Sequence, residues 1–593
     1  MNKEIRRKEN RQHRRFSFKL YGTSLRGCSY QKGGEVMNMG KFIVNGRKTI
    51  NYLKKNGLMP AYYAAKERIE QQKEDTYQYV APSDDDLEMQ KSRASELYKE
   101  IQQFLIAEES RLNRIAAYDR ESRLNLIAEC DGEYPPTFSL LVPAYETKQE
   151  YLFALLDSLR LQTYPYWELV LVDASQSDAV ACSVKAYEKQ YPDFEKQLCF
   201  VKLDENKGIS ENTNQGLAYC KGAYICLVDH DDLLTQDALY YMAEAIINHS
   251  TSGLAPAMIY SDEDKCNGEG TQFYDHNDKY NFNLDLILSN NYICHLTAIQ
   301  NHIFRKLQER PAFDGAQDYD LVLRVVSELI DAYGGTFKPG LQAHLQSQIV
   351  HVPRVLYHWR CHNDSTAQNT ESKRYAYEAG LRAVEDFLNR HKLQATVEHS
   401  LHLGFYKVTY EPDMIAARGD VAVVGGRLLD ARNKMLPCVK NHVGEYLYAG
   451  LHKKYSGRMH RFSLLQDVEE IDLRNAKIAD CVKPLLSKVL GEDCTRWIHH
   501  HVFDAAKFAE DMKIPKKEID AIAVETRENA NDTGFPANDK NSVSAKNNRA
   551  INWKAISSEF CRSVRLAGYT IAYDPTMEKK TDSHTEDTGV HDA

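Results

Sequence analysis

Asp229, Asp231 and Asp232 put three carboxylates on one short turn, directly after the apolar run YICLVD (224–229). Like charges that close repel one another, and a divalent cation relieves the repulsion; hard oxygen ligands suit Mg²⁺ or Mn²⁺. Such an ion commonly holds substrate phosphates too, here the diphosphate of an activated donor, and it stabilises the charge that develops when the diphosphate leaves. An Asp-x-Asp tripeptide alone is common in surface loops, so its place after an apolar strand is what makes it a candidate site. Three further apolar runs lead into polar residues: Pro143-Ala144-Tyr145-Glu146, Asp173, and Glu205-Asn206-Lys207-Gly208. Asp and Asn favour turns and caps, so one such end is ordinary loop chemistry. Four in succession mark a common functional edge.

The elements that must position these residues are the runs FSLLVP (138–143), ELVLVD (168–173), CFVKL (199–203) and YICLVD (224–229), separated by amphipathic segments. Between the first two, Leu152, Leu155, Leu156 and Leu159 fall on one helical face. Strand alternating with helix predicts an α/β fold whose mostly parallel sheet carries helices on both faces. In such sheets ligands bind at the carboxyl ends of the strands. Upstream, 35–75 and 84–130 are rich in Lys, Glu, Gln, Ala, Leu and Arg, with Leu97, Ile101, Leu105 and Ile106 at helical spacing, and predict a helical region over 35–134. Tyr134-Pro135-Pro136 ends it. Residues 1–20 hold eight Lys or Arg against two Glu, and 1–34 read as a basic, disordered arm, suited to peripheral contact with anionic membrane lipids or simply to solvent.

Across the 593 residues the net charge is -9, which argues against a nucleic-acid partner. No run reaches the roughly 18 uncharged apolar residues of a membrane span, and the start lacks the apolar core of a secretory signal. The 13 cysteines form no CxxC pair. The expectation is a cytoplasmic protein, with the inner face of the cell membrane within reach of the arm.

LLVPAYE, SLRLQTYPYWELVLVDASQSD and ENKGISENTNQGLAYCKGAYICLVDHDDLL, in that order and spacing, resemble the nucleotide-binding half of a family 2 glycosyltransferase of GT-A fold. The resemblance covers about 138–370 and points to the branch associated with bacterial surface polysaccharides. It implies that Ala144, Tyr145, Glu146 and Asp173 line the base and ribose pocket of a nucleotide diphosphate sugar. Asn206, Lys207 and Gly208 would shape the adjoining loop, and Asp229 and Asp231 would reach ribose and metal. Ala174 departs from the family, many members of which carry a second acidic residue there. MIYSDEDK (258–265) and SNNYICHL (289–296) extend the resemblance. Asp262, Glu263 and Asp264 are candidates to orient the acceptor, or form a capped, solvated turn. An inverting transfer needs a general base for the acceptor hydroxyl. The family's base lies in the segment FDGAQDYDLVLR (313–324), where Asp318 is the candidate and Asp314 and Asp320 are its neighbours. In HVPRVLYHWR (351–360) the resemblance implies His358 as a metal ligand, Arg360 on the diphosphate and Trp359 stacked on a sugar; a buried, satisfied histidine and a core tryptophan are the alternative.

The processive members' Q-x-x-R-W motif is missing: Arg496-Trp497 has Asp493 where the Gln would stand, so a non-processive enzyme is expected. The acceptor is expected to be a saccharide or a lipid-linked glycan. Segments 420–440 and 559–576 look like later portions of a second, degenerate copy of the domain, with Cys561 where Asp320 stands. The expected organisation is therefore an arm (1–34), a helical region (35–134), a GT-A domain (135–400), a degenerate α/β unit (401–576) with a disordered insertion near 525–550, and a tail (577–593). Two other functions fit parts of the pattern. A non-catalytic glycan-binding or scaffold protein would keep the fold without the chemistry. A haloacid-dehalogenase-type phosphatase would use LVDHDDLL as its nucleophile motif, although that motif normally opens its domain.

Overall fold

The computed structural model describes Leu53 and residues 56–115, 136–249, 254–362, 374–512 and 552–581. The chain separates into Met1–Ala61 and Tyr62–Ala593. The basic arm and the 525–550 insertion lie outside the described residues. In the second unit a nine-stranded sheet contains β1 (Phe138–Ala144), β2 (Trp167–Asp173), β3 (Leu198–Lys202), β4 (Tyr224–Leu227), β5 (Leu233–Leu234), β6 (Met258–Cys266), β7 (Phe273–Asn277), β8 (Thr297–Gln300) and β9 (Ile349–Arg360). Their order is β3-β2-β1-β4-β8-β6-β9-β5, with β7 on β6. The four apolar runs form the parallel half, β3-β2-β1-β4. β8 then enters antiparallel between β4 and β6, and β9 pairs parallel to β6. The sheet is thus parallel in the half predicted from the four runs and mixed beyond it.

Helices cover both faces. Gln149–Arg160 buries Leu152, Leu155, Leu156 and Leu159 against one face. Ile209–Leu217 packs on the other, and its Gly216 explains how closely: a Cβ there would lie 2.3 Å from Val172 Cγ2 and 2.7 Å from Leu141 Cδ1. Because β1 and β2 run in register, Ala144 pairs with Asp173, and Asp173 in turn pairs with Lys202 of β3. The strand ends therefore line one edge of the sheet.

The predicted N-terminal helices are Leu58–Glu74 and Asp84–Ile115. In the latter, Leu97, Ile101 and Leu105, spaced by four, are buried with the core of the parallel half, whereas Ile106 falls off that stripe and is exposed. The buried Glu67 carboxylate accepts hydrogen bonds from Ser456 N and Gly457 N, at 2.9 and 2.6 Å. The first helix is thereby tied to the C-terminal lobe.

That lobe has a six-stranded sheet and a core of its own. Its strand Val421–Leu429 pairs antiparallel with Ala476–Ile478 and parallel with Thr570–Lys580. This repeats the relation of β6 to β8 and β9. The counterpart of the β3-β2-β1-β4 half is missing among the described residues, which is why no second Asp-x-Asp turn is found there. The strand Thr570–Lys580 also corrects the expected tail: residues 577–580 belong to the sheet. The lobes are joined by Asn283, whose Nδ2 donates to Asp467 O and whose Oδ1 accepts from Asp467 N, at 2.9 and 3.1 Å. The buried Arg418 pairs across the same junction with Asp285 and, within its own lobe, with Asp420.

Candidate active site

Asp173, fully buried at the end of β2, accepts from Ser175 N at 2.9 Å and from Lys202 Nζ at 2.8 Å. Lys202 also donates to Ser175 O and Ser177 O, so one ammonium knits the loop after β2. Glu146, with φ of 47°, does the same from β1: Oε1 accepts from Gln176 N and Ser177 N, and Oε2 from Ser177 Oγ at 2.6 Å. The hydroxyl of Ser177 and these amides hold its carboxyl below the ordinary range. Ala144 is buried beside Asp173, while Tyr145 is exposed. In the next loop Asn206 Oδ1 accepts from Gly208 N and Asn212 Nδ2, at 3.0 and 2.9 Å, and Lys207 reaches only the exposed Glu205.

On the acidic turn the three carboxylates have separate fates. Asp232 is buried, accepting from Tyr357 Oη at 2.6 Å and Arg360 N at 2.7 Å, and burial pushes its carboxyl well up; it braces the turn. Asp231 Oδ2 lies 2.7 Å from His362 Nε2. Asp229 has 47% of its side chain exposed and Oδ2 at 3.9 Å from His295 Nε2. Burial of the turn, with the like charges of Asp231 and Asp318, pushes its carboxyl up against the pull of His295; with so much of the side chain open, the like charges are the sturdier cause.

His358 does not join this turn. Its Nδ1 lies 2.6 Å from Asp264 Oδ1, both groups are buried, and Tyr77 Oη closes the other side by donating to Asp264 Oδ2 at 2.6 Å. Tyr79 and Phe273 pack on the His358 ring. Asp264 is thereby removed from acceptor contact as well. The histidine beside Asp231 is His362, two residues past the end of β9, and sequence reasoning missed it. Arg360 is also committed: Nε donates to Asp231 O at 2.5 Å and Nη1 to Gly268 O at 2.7 Å, so it braces the turn from beneath and is itself buried. Asp262, the third acceptor candidate, is taken by His351 Nε2 at 2.7 Å and Lys279 N at 2.8 Å. Glu263 and Trp359 instead lie toward His295. Glu263 accepts from Asn277 Nδ2 at 3.0 Å and pairs with Lys279, and the charges of Lys279 and His295 hold its carboxyl down against burial. Trp359 has its ring 6.2 Å from that of His295.

The three carboxylates of the segment 313–324 are equally distinct. Asp320 is buried between Arg310 and Arg324. Asp314 accepts from Ser210. Asp318, in the first turn of the helix Gln317–Ala332, accepts on Oδ2 alone, from Asn291 Nδ2 at 2.8 Å and Cys294 Sγ at 3.0 Å. Burial, then the charge of Asp318, pushes the Cys294 thiol well up, so it keeps its proton and donates it. Asn291, Cys294 and His295 are the other residues that sequence reasoning did not single out; the signal available was their place in SNNYICHL. Cys294 touches Asp318 while His295 approaches Asp229, so one short segment carries the base candidate to the acidic turn. Among the described residues, no cage of three or more His, Cys, Asp or Glu forms a complete metal site. The Asp231 and His362 pair with the half-open Asp229 is a donor set suited to a cation that takes its other ligands from diphosphate and water.

The model of "Glycosyl transferase family 2" matches residues 139–308. An uncharacterized protein y4gI of Sinorhizobium fredii is 35% identical over 257 residues, 43% of this chain and 26% of its own length. The O-antigen biosynthesis protein RfbC of Myxococcus xanthus is 25% identical over 279 residues, 46% of this chain and 20% of its own. The match thus spans about a quarter or less of these relatives. Among solved structures, S. aureus TarS 1-349 in complex with UDP aligns at 18% identity and a TM-score of 0.29, over 43% of this chain and 71% of that one. No described helix is long and apolar enough to cross a membrane. With the parallel strands, their aligned polar ends and the Asp-x-Asp turn all inside the matched segment, the chain carries a glycosyl transferase family 2 domain.

Proposed function

We propose that this protein is a metal-dependent, inverting, non-processive glycosyltransferase that moves a sugar from a nucleotide diphosphate sugar to a saccharide or lipid-linked glycan acceptor in surface polysaccharide assembly, at the cytoplasmic face of the membrane. The observation that carries the reading is the approach of Asp318 and Asp229 to opposite ends of the Cys294-His295 pair, as a general base beside a diphosphate-binding turn would require. Asp318 has one oxygen held by Asn291 and Cys294, and its other oxygen is left to take the acceptor proton. As the acceptor oxygen bonds to the anomeric carbon, the bond from that carbon to the diphosphate breaks; the proton passes to Asp318 and the nucleoside diphosphate leaves. A divalent cation at Asp229, Asp231 and His362 would supply the charge that the departing diphosphate needs. Asp173 and the Glu146-braced loop would receive the nucleoside, Asn206 to Gly208 its flank, and Glu263 with Trp359 the acceptor. The name of RfbC, an O-antigen biosynthesis protein, supports the polysaccharide setting.

Titration of the full chain with UDP, GDP and dTDP, each with and without Mn²⁺, tests the reading. Metal-dependent binding of one nucleotide, abolished in Asp231→Ala, is expected. A folded protein that binds none of the three in either condition would favour a glycan-binding scaffold instead.

A further inference from the structure

We infer that Asp314 is a positioning residue that latches the donor-side loop 206–210 to the start of the helix bearing Asp318, so that donor loop and base move as one body. The inference rests on the reading of Asp318 as the base. Asp314 Oδ1 accepts two hydrogen bonds from Ser210, from Oγ at 2.5 Å and from N at 3.3 Å. Its Oδ2 fills the space over Gly208: a Cβ on that residue would lie 2.5 Å from it. Gly208 has φ of 98°, so glycine is required there both for its backbone and for this close approach. A second stitch lies one helical turn further along. Asn214 Nδ2 donates to Glu309 O at 2.8 Å, and Glu309 N donates back to Asn214 Oδ1 at 2.9 Å. The helix Ile209–Leu217 is thus bonded at two points to the segment that runs straight into Gln317–Ala332. Between them, Arg310 is anchored to Asp320 on that second helix, which leaves the segment little slack. The loop proposed to flank the nucleoside therefore has a direct mechanical connection to the carboxylate proposed to take the acceptor proton, four residues past Asp314.

Amide hydrogen exchange on the full chain, without substrate, reads the latch directly. Asp314→Ala should speed exchange roughly tenfold in both 206–213 and 313–321, and Ser210→Ala, which removes the hydroxyl bond but keeps the one from Ser210 N, should speed it by less in the same two segments. The double variant should add nothing to Asp314→Ala alone, because that change already removes both bonds from Ser210. Asp314→Asn, which keeps an acceptor for Ser210, should restore much of the protection. Faster exchange on one side only, or additive effects in the double variant, would overturn the latch, and Ser210→Ala keeps the test open if Asp314→Ala does not fold. Transfer by Asp318→Asn, whose exchange in both segments should match the wild type, separates the two ideas. Lost transfer with uncoupled segments rejects the latch and keeps the base, whereas retained transfer with coupled segments rejects the base.

Discussion

Each carboxylate at the site is defined by what it already touches. Asp232, Asp264 and Asp320 are spent on buried partners, whereas Asp229 and Asp318 keep an open oxygen. Asp318→Asn should therefore lower transfer by about 10² to 10⁴-fold with the urea midpoint unchanged. Asp320→Asn should do the reverse: it leaves Arg310 and Arg324 short of a counter-charge and should cost about 3–5 kcal/mol in urea unfolding. Equal loss of stability in both variants would contradict this division of roles. The histidines invite a parallel comparison. His362→Ala should weaken Mn²⁺-dependent nucleotide binding, while His358→Ala should leave that affinity within a factor of about three and lower stability by about 1–3 kcal/mol by leaving Asp264 Oδ1 without its partner. Nucleotide affinity that follows His358 instead of His362 would refute the ligand set. The acidic turn at the end of a strand was legible in the sequence, because three carboxylates after an apolar strand is a local pattern. Which histidine serves it was not. β9 carries His358 toward Asp264, and irregular register between β6 and β9 near Ser261 to Glu263 shifts which residues meet.

At the scale of elements, the parallel half of the domain follows from its apolar runs, and Leu152 to Leu159 forms the helix face that their spacing predicts. What spacing does not show is how near a helix approaches the sheet. Gly216→Ala tests this: with Val172 and Leu141 already inside contact distance of a Cβ, the substitution should cost about 1–3 kcal/mol by overpacking, read as a lower urea midpoint. An unchanged midpoint would mean that the helix shifts freely, and the donor loop it carries would then be less rigid than proposed. The N-terminal helices show the same limit. Their existence is written in composition and period, but the strap between them, with Tyr77 on Asp264 and Tyr79 on His358, joins residues 187 and 279 positions apart. No local pattern anticipates that the strap would seal two residues of the expected site.

For the whole molecule, the C-terminal lobe reproduces the β6, β8 and β9 arrangement without a counterpart of the parallel half among the described residues, and it is bonded to the lobe of the nine-stranded sheet through Asn283 and Asp467. His442 lies in that junction network. Burial opposes its charge, but hydrogen bonds to Asp467 and Glu469 prevail and raise its pKa to about 9. A histidine raised above its ordinary value of about 6.5 contributes its full stabilisation below that pH and loses it as the pH rises through about 9. Wild type should thus melt above His442→Gln at pH 6, and the gap should close by about pH 9.5; a gap independent of pH would exclude the charged imidazole as its source.

By itself the sequence determined the α/β class, the aligned strand ends, the acidic turn and the helical character of the N-terminal region. All of these depend on period, apolar content and charge within some tens of residues. Only the tertiary structure decided which carboxylates remain available. Whether a buried acid is partnered by Tyr77, His351 or His358 depends on segments distant in the chain, and no neighbourhood in the chain encodes that choice alone. The repeat in the C-terminal lobe lies between these cases. Its residues hinted at a second copy, but the shared pairing of its strands, one antiparallel and one parallel to a common centre, is a property of the folded sheet.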